Sequence, residues 1–569
     1  MGGQPERENG NAVKPRHQAG ISEFFRRFHW RDPHVARICS APIGAIVAPS
    51  CKTKNGAEMQ KHLFGTTRRF TRKTLTTLTC ALALSAGADA QSGSTQDQKI
   101  AFVGATVVSP HLASPIEDAV VLVRGGKIEA VGPASLAVGE DYETINLEGR
   151  YVAPGLIDAH MHFFQSASAF TRPDSFDFSQ IKPYKDDRVW VENHIADTAT
   201  RYLMSGVTAV ADMCGPSLNY KVRAEARASS FMPTVATAGA CIASFGAPVL
   251  DLQDGDPVFQ HATSAEAAVA FVREQLALKP DMIKIIWSPD GGETPQQLFN
   301  LFEHAIRLAQ NEGIPVAVHA TDLANAKMAV RAGASILVHG VMTEAIDDEF
   351  IALVKQHNVV YVPTLAVHGK MGAVARDDLT FSSHEHKLAH PDILASFDTA
   401  AAQPEKAGMM VQMIRKYMPY VDAGAADVAK LSPQEQAIVG QLRGFFSRQL
   451  TLIQRANLKR MYDAGVTLAL GTDAGNPGVV HGASMLTEMT EWQHAGLPLP
   501  TIFKAATLNG AKVMKMEAFM GSIEVGKWAD FMVLDANPLK SLESYSSVAG
   551  VVKHGSYMSA AQLTDRLEE

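Results

Sequence analysis

His160 and His162 close an apolar run that begins at Tyr151 and passes through Pro154-Gly155-Leu156-Ile157. Side chains alternate along a β-strand with period two, so imidazoles at this spacing project from one face. Neutral imidazole is the commonest protein ligand for zinc-like ions. A His-x-His alone also fits a solvated or packed pair. Four further residues turn the spacing into a pattern, because each lies in or at the end of another short apolar run. Lys284 sits within 281–287, His319 ends 314–319, His339 ends 335–339 and Asp473 follows 466–472.

The elements that must position these residues alternate. Between the apolar runs lie helical patterns, one over 294–312 with Leu298, Leu301, Phe302, Ala305 and Leu308 at intervals of three and four, another over 323–332. Strands alternating with helices predict parallel βαβ units. Eight such units closed in a ring make a TIM-like (β/α)₈ barrel, whose chemistry lies at the C-terminal strand ends. Every candidate ligand falls at or near such an end.

The order His-x-His, Lys, His, His, Asp resembles that of the amidohydrolase superfamily. With it come Gly471-Thr472-Asp473-Ala474-Gly475, Ala506-Thr507-Leu508-Asn509-Gly510-Ala511 and the run from Gly521-Ser522-Ile523 to Asp530-Phe531. The chain is most similar to the imidazolonepropionase-related, prolidase-like branch, over about residues 98–558. The resemblance implies a barrel over 154–518 and a small composite β-sandwich from 98–153 and 519–558. It also implies a centre of two divalent ions, with zinc as the expected metal. His160, His162 and Asp473 would hold one ion and His319 and His339 the other, bridged by Lys284 as a carbamate. A carbamate supplies anionic oxygens where an ammonium has no lone pair to give. A metal-activated hydroxide would then attack the carbonyl, with Asp473 as general base and acid. Read from the residues alone, Lys284 could instead pair with a buried acid or substrate. The centre would then hold one ion on His160, His162, His319 and Asp473, leaving His339 to contact substrate.

The chain has 569 residues, 46% hydrophobic and 20% charged, with net charge −7. This is globular composition and lacks the basic stripe a nucleic-acid binder would need. There is no zinc-ribbon cysteine spacing and no phosphate-binding glycine loop. Arg68, Arg69, Arg72 and Lys73 precede an uncharged stretch over 74–88 and then Ala88-Asp89-Ala90. This predicts a secretory signal peptide at 59–90, hence a periplasmic or secreted protein with no membrane span once the signal is removed. Residues 1–58, rich in Arg, Pro and Gly, are expected to be a disordered extension or to precede a true start at Met59. Beyond Ala90 only Cys214 and Cys241 remain, either one disulfide or two buried thiols.

His339 and Asp473 are 134 residues apart, against 20 between His319 and His339. The excess predicts a polar, mostly helical insertion at about 370–455, either covering the site or contacting a partner subunit, or else an inert excursion. For a substrate carboxylate, Tyr220, Lys221 and Arg223 after the strand at 206–212 are candidate partners, and His368 and His481 are candidate pocket residues. Many relatives carry Gly-Gly-His after strand three. Here the stretch is Cys241-Ile242-Ala243-Ser244-Phe245-Gly246-Ala247, which lacks that histidine, so the resemblance by itself does not carry dipeptidase specificity over. The sequence therefore points to a metal-dependent hydrolase of small amides such as dipeptides, N-acyl amino acids or cyclic amides. A phosphotriester or lactone hydrolase on the same barrel and a non-catalytic metal-binding barrel are the rival readings. A homo-oligomer is left open.

Overall fold

A computed structural model describes residues 98–289 and 292–568. The expectations for 1–58 and for a signal peptide at 59–90 lie outside the described residues. No helix among the described residues is long and apolar enough to cross a membrane.

Parallel strands alternate with helices as the periodicity requires. One ladder joins Leu156–Met161, Val207–Asp212 and Thr234–Thr237. A second runs through Cys241–Ala243, Ile283–Ile286, Val316–His319, Ile336–Val338 and Val360–Val362, with Phe259–His261 at its edge. Both faces of these strands are buried, which is why they read as continuous apolar runs. Ile283, Ile285, Val316 and Val318 pack against helix residues such as Leu298 and Phe302. Met282 and Ala317 belong to a separate cluster shared with Ile157, Ala209, Ala469 and the segment 511–520. By alternation Lys284 falls on the Met282 face and His319 on the Ala317 face. The two predicted helices form at Pro295–Asn311, with a Thr294–Gln297 capping box, and at Leu323–Ala332.

The predicted strand at 466–472 is the main local difference. Only Leu468 forms a ladder-type bridge, to Tyr361. The segment nevertheless bonds on both sides: Tyr361 N donates to Thr467 O at 3.0 Å and Ala159 N to Leu470 O at 3.0 Å. Glycine is required at 471 because a Cβ there would lie 2.8 Å from the His160 backbone and from Val362. The chain is thus wedged between two strands, too close to His160 for a regular ladder.

Residues from both ends build an eight-stranded mixed sheet. Lys99–Val107, Ile116–Arg124, Lys127–Pro133, Glu143–Asn146 and Tyr151–Pro154 pair with Phe531–Leu534, Val548–Lys553 and Ser556–Ser559. Hydrogen bonding links all eight into one sheet, where the resemblance implied a sandwich. Phe102, Val121 and Phe531 pack on one face, Ala101, Val120 and Leu122 on the other. This sheet is pinned by a buried ion pair. Lys553 Nζ donates to Asp530 Oδ2 at 2.6 Å and to Thr234 Oγ1, in a parallel strand, at 3.0 Å.

The stretch 370–455 is helical, including Pro391–Ala401, Met409–Val421 and Pro433–Phe446. It is less polar than its sequence suggested, because Val411, Ile414, Val439 and Leu442 form a satellite core with Phe170, Phe176 and Phe178. Those phenylalanines lie in the segment that follows His162, so the insertion rests on the loop leading out of the candidate site. Buried Glu385 ties it down, accepting from Lys370 Nζ at 2.9 Å, Ser484 Oγ at 3.0 Å and Thr487 Oγ1 at 2.8 Å. Breaking one partner of a buried pair strands the other charge. Lys553→Met is therefore expected to destabilise the protein by about 3–5 kcal/mol in urea unfolding, and an unchanged midpoint would refute the anchoring role.

Candidate metal centre

The structure brings the six predicted residues together. His162 Nε2 lies 3.3 Å from His160 Nε2 and 3.0 Å from Asp473 Oδ1, while His160 Nε2 is 3.4 Å from the same oxygen. Asp473 Oδ2 faces His339 Nδ1 at 3.8 Å. The His339 ring stands 4.9 Å from that of His160 and 4.5 Å from that of His319, centroid to centroid. Lys284 is buried, and its charge acts on His160, His339 and Asp473.

These separations test whether an ion fits. Zinc–nitrogen bonds of about 2.0–2.1 Å in tetrahedral geometry place neighbouring ligand atoms about 3.4 Å apart. The His160, His162 and Asp473 atoms meet that spacing, and three such ligand atoms lie within 4.8 Å of one another. Buried Asp473 Oδ1, the oxygen shared by these contacts, also has no hydrogen-bond partner. Protein alone does not satisfy this cluster; a divalent cation would.

Electrostatics agree. Burial holds the His160 and His339 imidazoles well below their ordinary range, helped by Lys284 and His319, so both are neutral and able to ligate. Burial would raise Asp473, but the facing histidines outweigh it and keep the carboxyl well below its usual range. Burial brings the Lys284 ammonium down to about 7, with Asp473 opposing.

Surrounding bonds orient these ligands. His162 Nδ1 lies 3.3 Å from Cys214 O, which leaves Nε2 as the ligand nitrogen. Cys214 is disulfide-bonded to Cys241. His339 Nδ1 is 2.8 Å from Thr364 Oγ1. Thr364 in turn sits at the head of the helix Leu365–Arg376, whose first amides donate to buried Glu488, Leu365 N at 3.0 Å and Ala366 N at 2.6 Å. Asp158, pushed up to about 7 by burial, accepts from Thr472 Oγ1 at 2.6 Å and Thr472 N at 3.0 Å.

Sequence reasoning missed Asp158, Thr364 and Glu488. Asp158 was legible in principle, two residues before His160 in one strand. Nothing local marks Glu488, which is 124 residues from Thr364.

The substrate candidates fare differently. Arg223 is spent on Asp281 Oδ2 at 2.7 Å and Lys279 O at 2.8 Å, and Tyr220 stacks on it at 5.0 Å, so the pair supports a strand connection. Lys221 is exposed on the same helix. His481 lies behind the centre: its Nε2 pairs with the His162 carbonyl at 3.0 Å and its ring packs on Phe163 and Tyr202. It braces backbone and does not line a pocket. His368 does border the cluster, 6.5 Å from the His339 ring, and is held by Gln454.

His481 has a consequence for stability. Burial lowers its pKa from 6.5 to about 4, so protonation is disfavoured only in the folded state. Its stabilisation is complete above about pH 6.5 and is lost as pH falls towards 4. In chelator-treated protein, His481→Gln is expected to flatten the decline in unfolding free energy over that interval by about 3 kcal/mol. Parallel curves for the two proteins would contradict the assignment.

Comparison with known proteins places this geometry. An imidazolonepropionase of Symbiobacterium thermophilum is 38% identical over 104 residues, 18% of this chain and 24% of the relative. The chain thus matches about a quarter of that relative's length. Among solved structures, a Xaa-Pro dipeptidase with bound methionine is similar at a TM-score of 0.59 and 20% identity, covering 81% of this chain and 100% of that one. Ochratoxinase of A. niger is similar at 0.57 and 19%, covering 82% and 96%. The amidohydrolase family model matches residues 151–558, which include all six clustered residues, and the chain belongs to the amidohydrolase family.

Proposed function

We propose that this chain is a metal-dependent hydrolase that cleaves carbon–nitrogen bonds of small amides. The observation that carries the reading is the convergence of four imidazoles, Asp473 and Lys284 from distant strand ends. Membership of the amidohydrolase family supports it. So do the two parallel strand ladders: the Asp281 N to Thr237 O bond at 2.9 Å connects them and the Tyr361–Leu468 bridge extends the second, contacts that a barrel would require.

His160, His162 and Asp473 would hold one ion and His319 and His339 a second. Zinc suits so imidazole-rich a donor set. Such ions, when bound, acidify water and polarise a carbonyl. Lys284, buried in the same cluster, would contribute oxygen ligands if converted to a carbamate, and burial favours the neutral amine that carbon dioxide requires. Asp473, kept ionised, accepts the proton of the attacking water at a carboxylate oxygen and returns it to the departing nitrogen. His339 orients through Thr364 and stands next to Asp473, where the substrate carbonyl must approach. The Cys214–Cys241 bond supports a periplasmic or extracellular setting, since disulfides persist in oxidising compartments.

The test is activity of the zinc-loaded chain on dipeptides, N-acyl amino acids, cyclic amides, esters, lactones and phosphotriesters. Amides are expected to be preferred, with activity lost on chelation and restored by zinc. Preference for esters or phosphotriesters over every amide would replace the reaction class, and a fully loaded protein inert on all of them would favour a binding role.

A further inference from the structure

We propose that Arg188 and Tyr184 form a carboxylate-binding subsite beside the metal centre, selecting amide substrates that carry a free carboxylate. The proposal rests on the hydrolytic reading above and narrows its substrate class.

The helix Tyr184–Asn193 follows the loop that leaves His162. Tyr184 and Arg188, four residues apart, share one of its faces. Both are more than nine-tenths buried, at 8% and 5% exposure. Neither Tyr184 Oη nor Arg188 Nε has a hydrogen-bond partner. The guanidinium lies over the rings of Phe164 and Tyr184, 5.8 and 6.0 Å from their centroids. Phe164 in turn stands 5.5 Å from the His162 ring, so one aromatic side chain separates Arg188 from a metal ligand.

Charge accounting around this pocket singles out Arg188. Asp187, its neighbour, is taken by Ser166 at 2.8 Å, Ser168 at 3.1 Å and Lys182 at 3.3 Å. Asp174 is taken by Arg172 through two bonds of 2.6 and 2.7 Å. No carboxylate of the described residues forms an ion pair with Arg188. Arginine does not discharge when buried, and a buried unpaired charge is costly. The rings and the adjacent Tyr184 hydroxyl offset part of that cost, and a bound anion would offset the rest.

Arg172 ties the pocket to the other arm of the centre. Its Nη1 donates to Asn476 Oδ1 at 2.9 Å, and Asn476 Nδ2 donates to Asp473 O at 3.0 Å. A substrate carboxylate received by Arg188 and Tyr184 would lie across the Phe164 ring from His162, with the amide carbonyl towards His162 and Asp473. N-acyl amino acids and dipeptides have that shape. The role sequence reasoning gave to Tyr220 and Arg223 passes to these residues.

Two matched comparisons on the zinc-loaded full chain test this. Turnover is measured on N-benzoylglycine and its carboxamide, and calorimetric binding on the hydrolysis-resistant N-benzenesulfonylglycine and its carboxamide. Wild type is expected to favour the acid by about tenfold or more in both. Arg188→Gln should erase that preference, lowering the acid by more than the carboxamide, and Tyr184→Phe should reduce it. Equal treatment of acid and carboxamide by wild type overturns the proposal, and needs no variant to fold. So does an acid preference that survives in Arg188→Gln of unchanged melting temperature. If no amide turns over but the binding preference is present and depends on Arg188, the hydrolytic reading fails and the subsite stands. If amides are cleaved without acid preference, the reverse holds.

Discussion

Four imidazoles, the Asp473 carboxylate and the Lys284 amine converge in one largely buried cluster, and this crowding governs the rest of the structure. His160 Nε2 and His162 Nε2 face each other at 3.3 Å with Asp473 Oδ1 beside both, and buried Lys284 stands in the same field. Lone pairs so directed repel unless a cation lies among them. Burial strengthens the requirement, since it removes the water that would otherwise solvate each group. It also keeps the His160 and His339 imidazoles neutral, the state in which they donate.

Backbone strain shows how the cluster is held. His339, Thr364 and Asp473 all have positive φ, at 66°, 45° and 59°. Such conformations cost non-glycine residues about 1–3 kcal/mol each and persist where neighbours over-determine them. Here the neighbours are visible. Asp473 N donates to His160 O at 2.7 Å, His339 N to Val362 O at 2.9 Å, and Glu488 gathers the amides that follow Thr364. Each strained residue turns its side chain at a strand end, so the strain and the convergence have one origin. Asp158 adds a brace between the first strand and the 472–473 turn.

The six converging residues were legible in the sequence because each lies in or at the end of an apolar run, and burial on both strand faces makes such runs conspicuous. Helices at Pro295–Asn311 and Leu323–Ala332 were legible for the same reason of period. The strand expected at 466–472 was not realised as a ladder, because contact of Gly471 with His160 overrides the local pattern. Tyr220 and Arg223 had suitable chemistry after a suitable strand, yet Asp281, 58 residues beyond Arg223, claims the guanidinium. Arg188 escaped notice because it lies in a charged, unremarkable stretch, Tyr184-Lys185-Asp186-Asp187-Arg188. Only packing shows which of those charges lacks a partner.

The most direct test of the central claim is anomalous diffraction at the zinc edge from crystals grown with zinc and bicarbonate. Two peaks are expected, one among His160, His162 and Asp473 and one among His319 and His339, with density extending from Lys284 Nζ between them. In Lys284→Ala the second peak should weaken or vanish. Zinc bound elsewhere on the chain, with none among these histidines, would contradict the account.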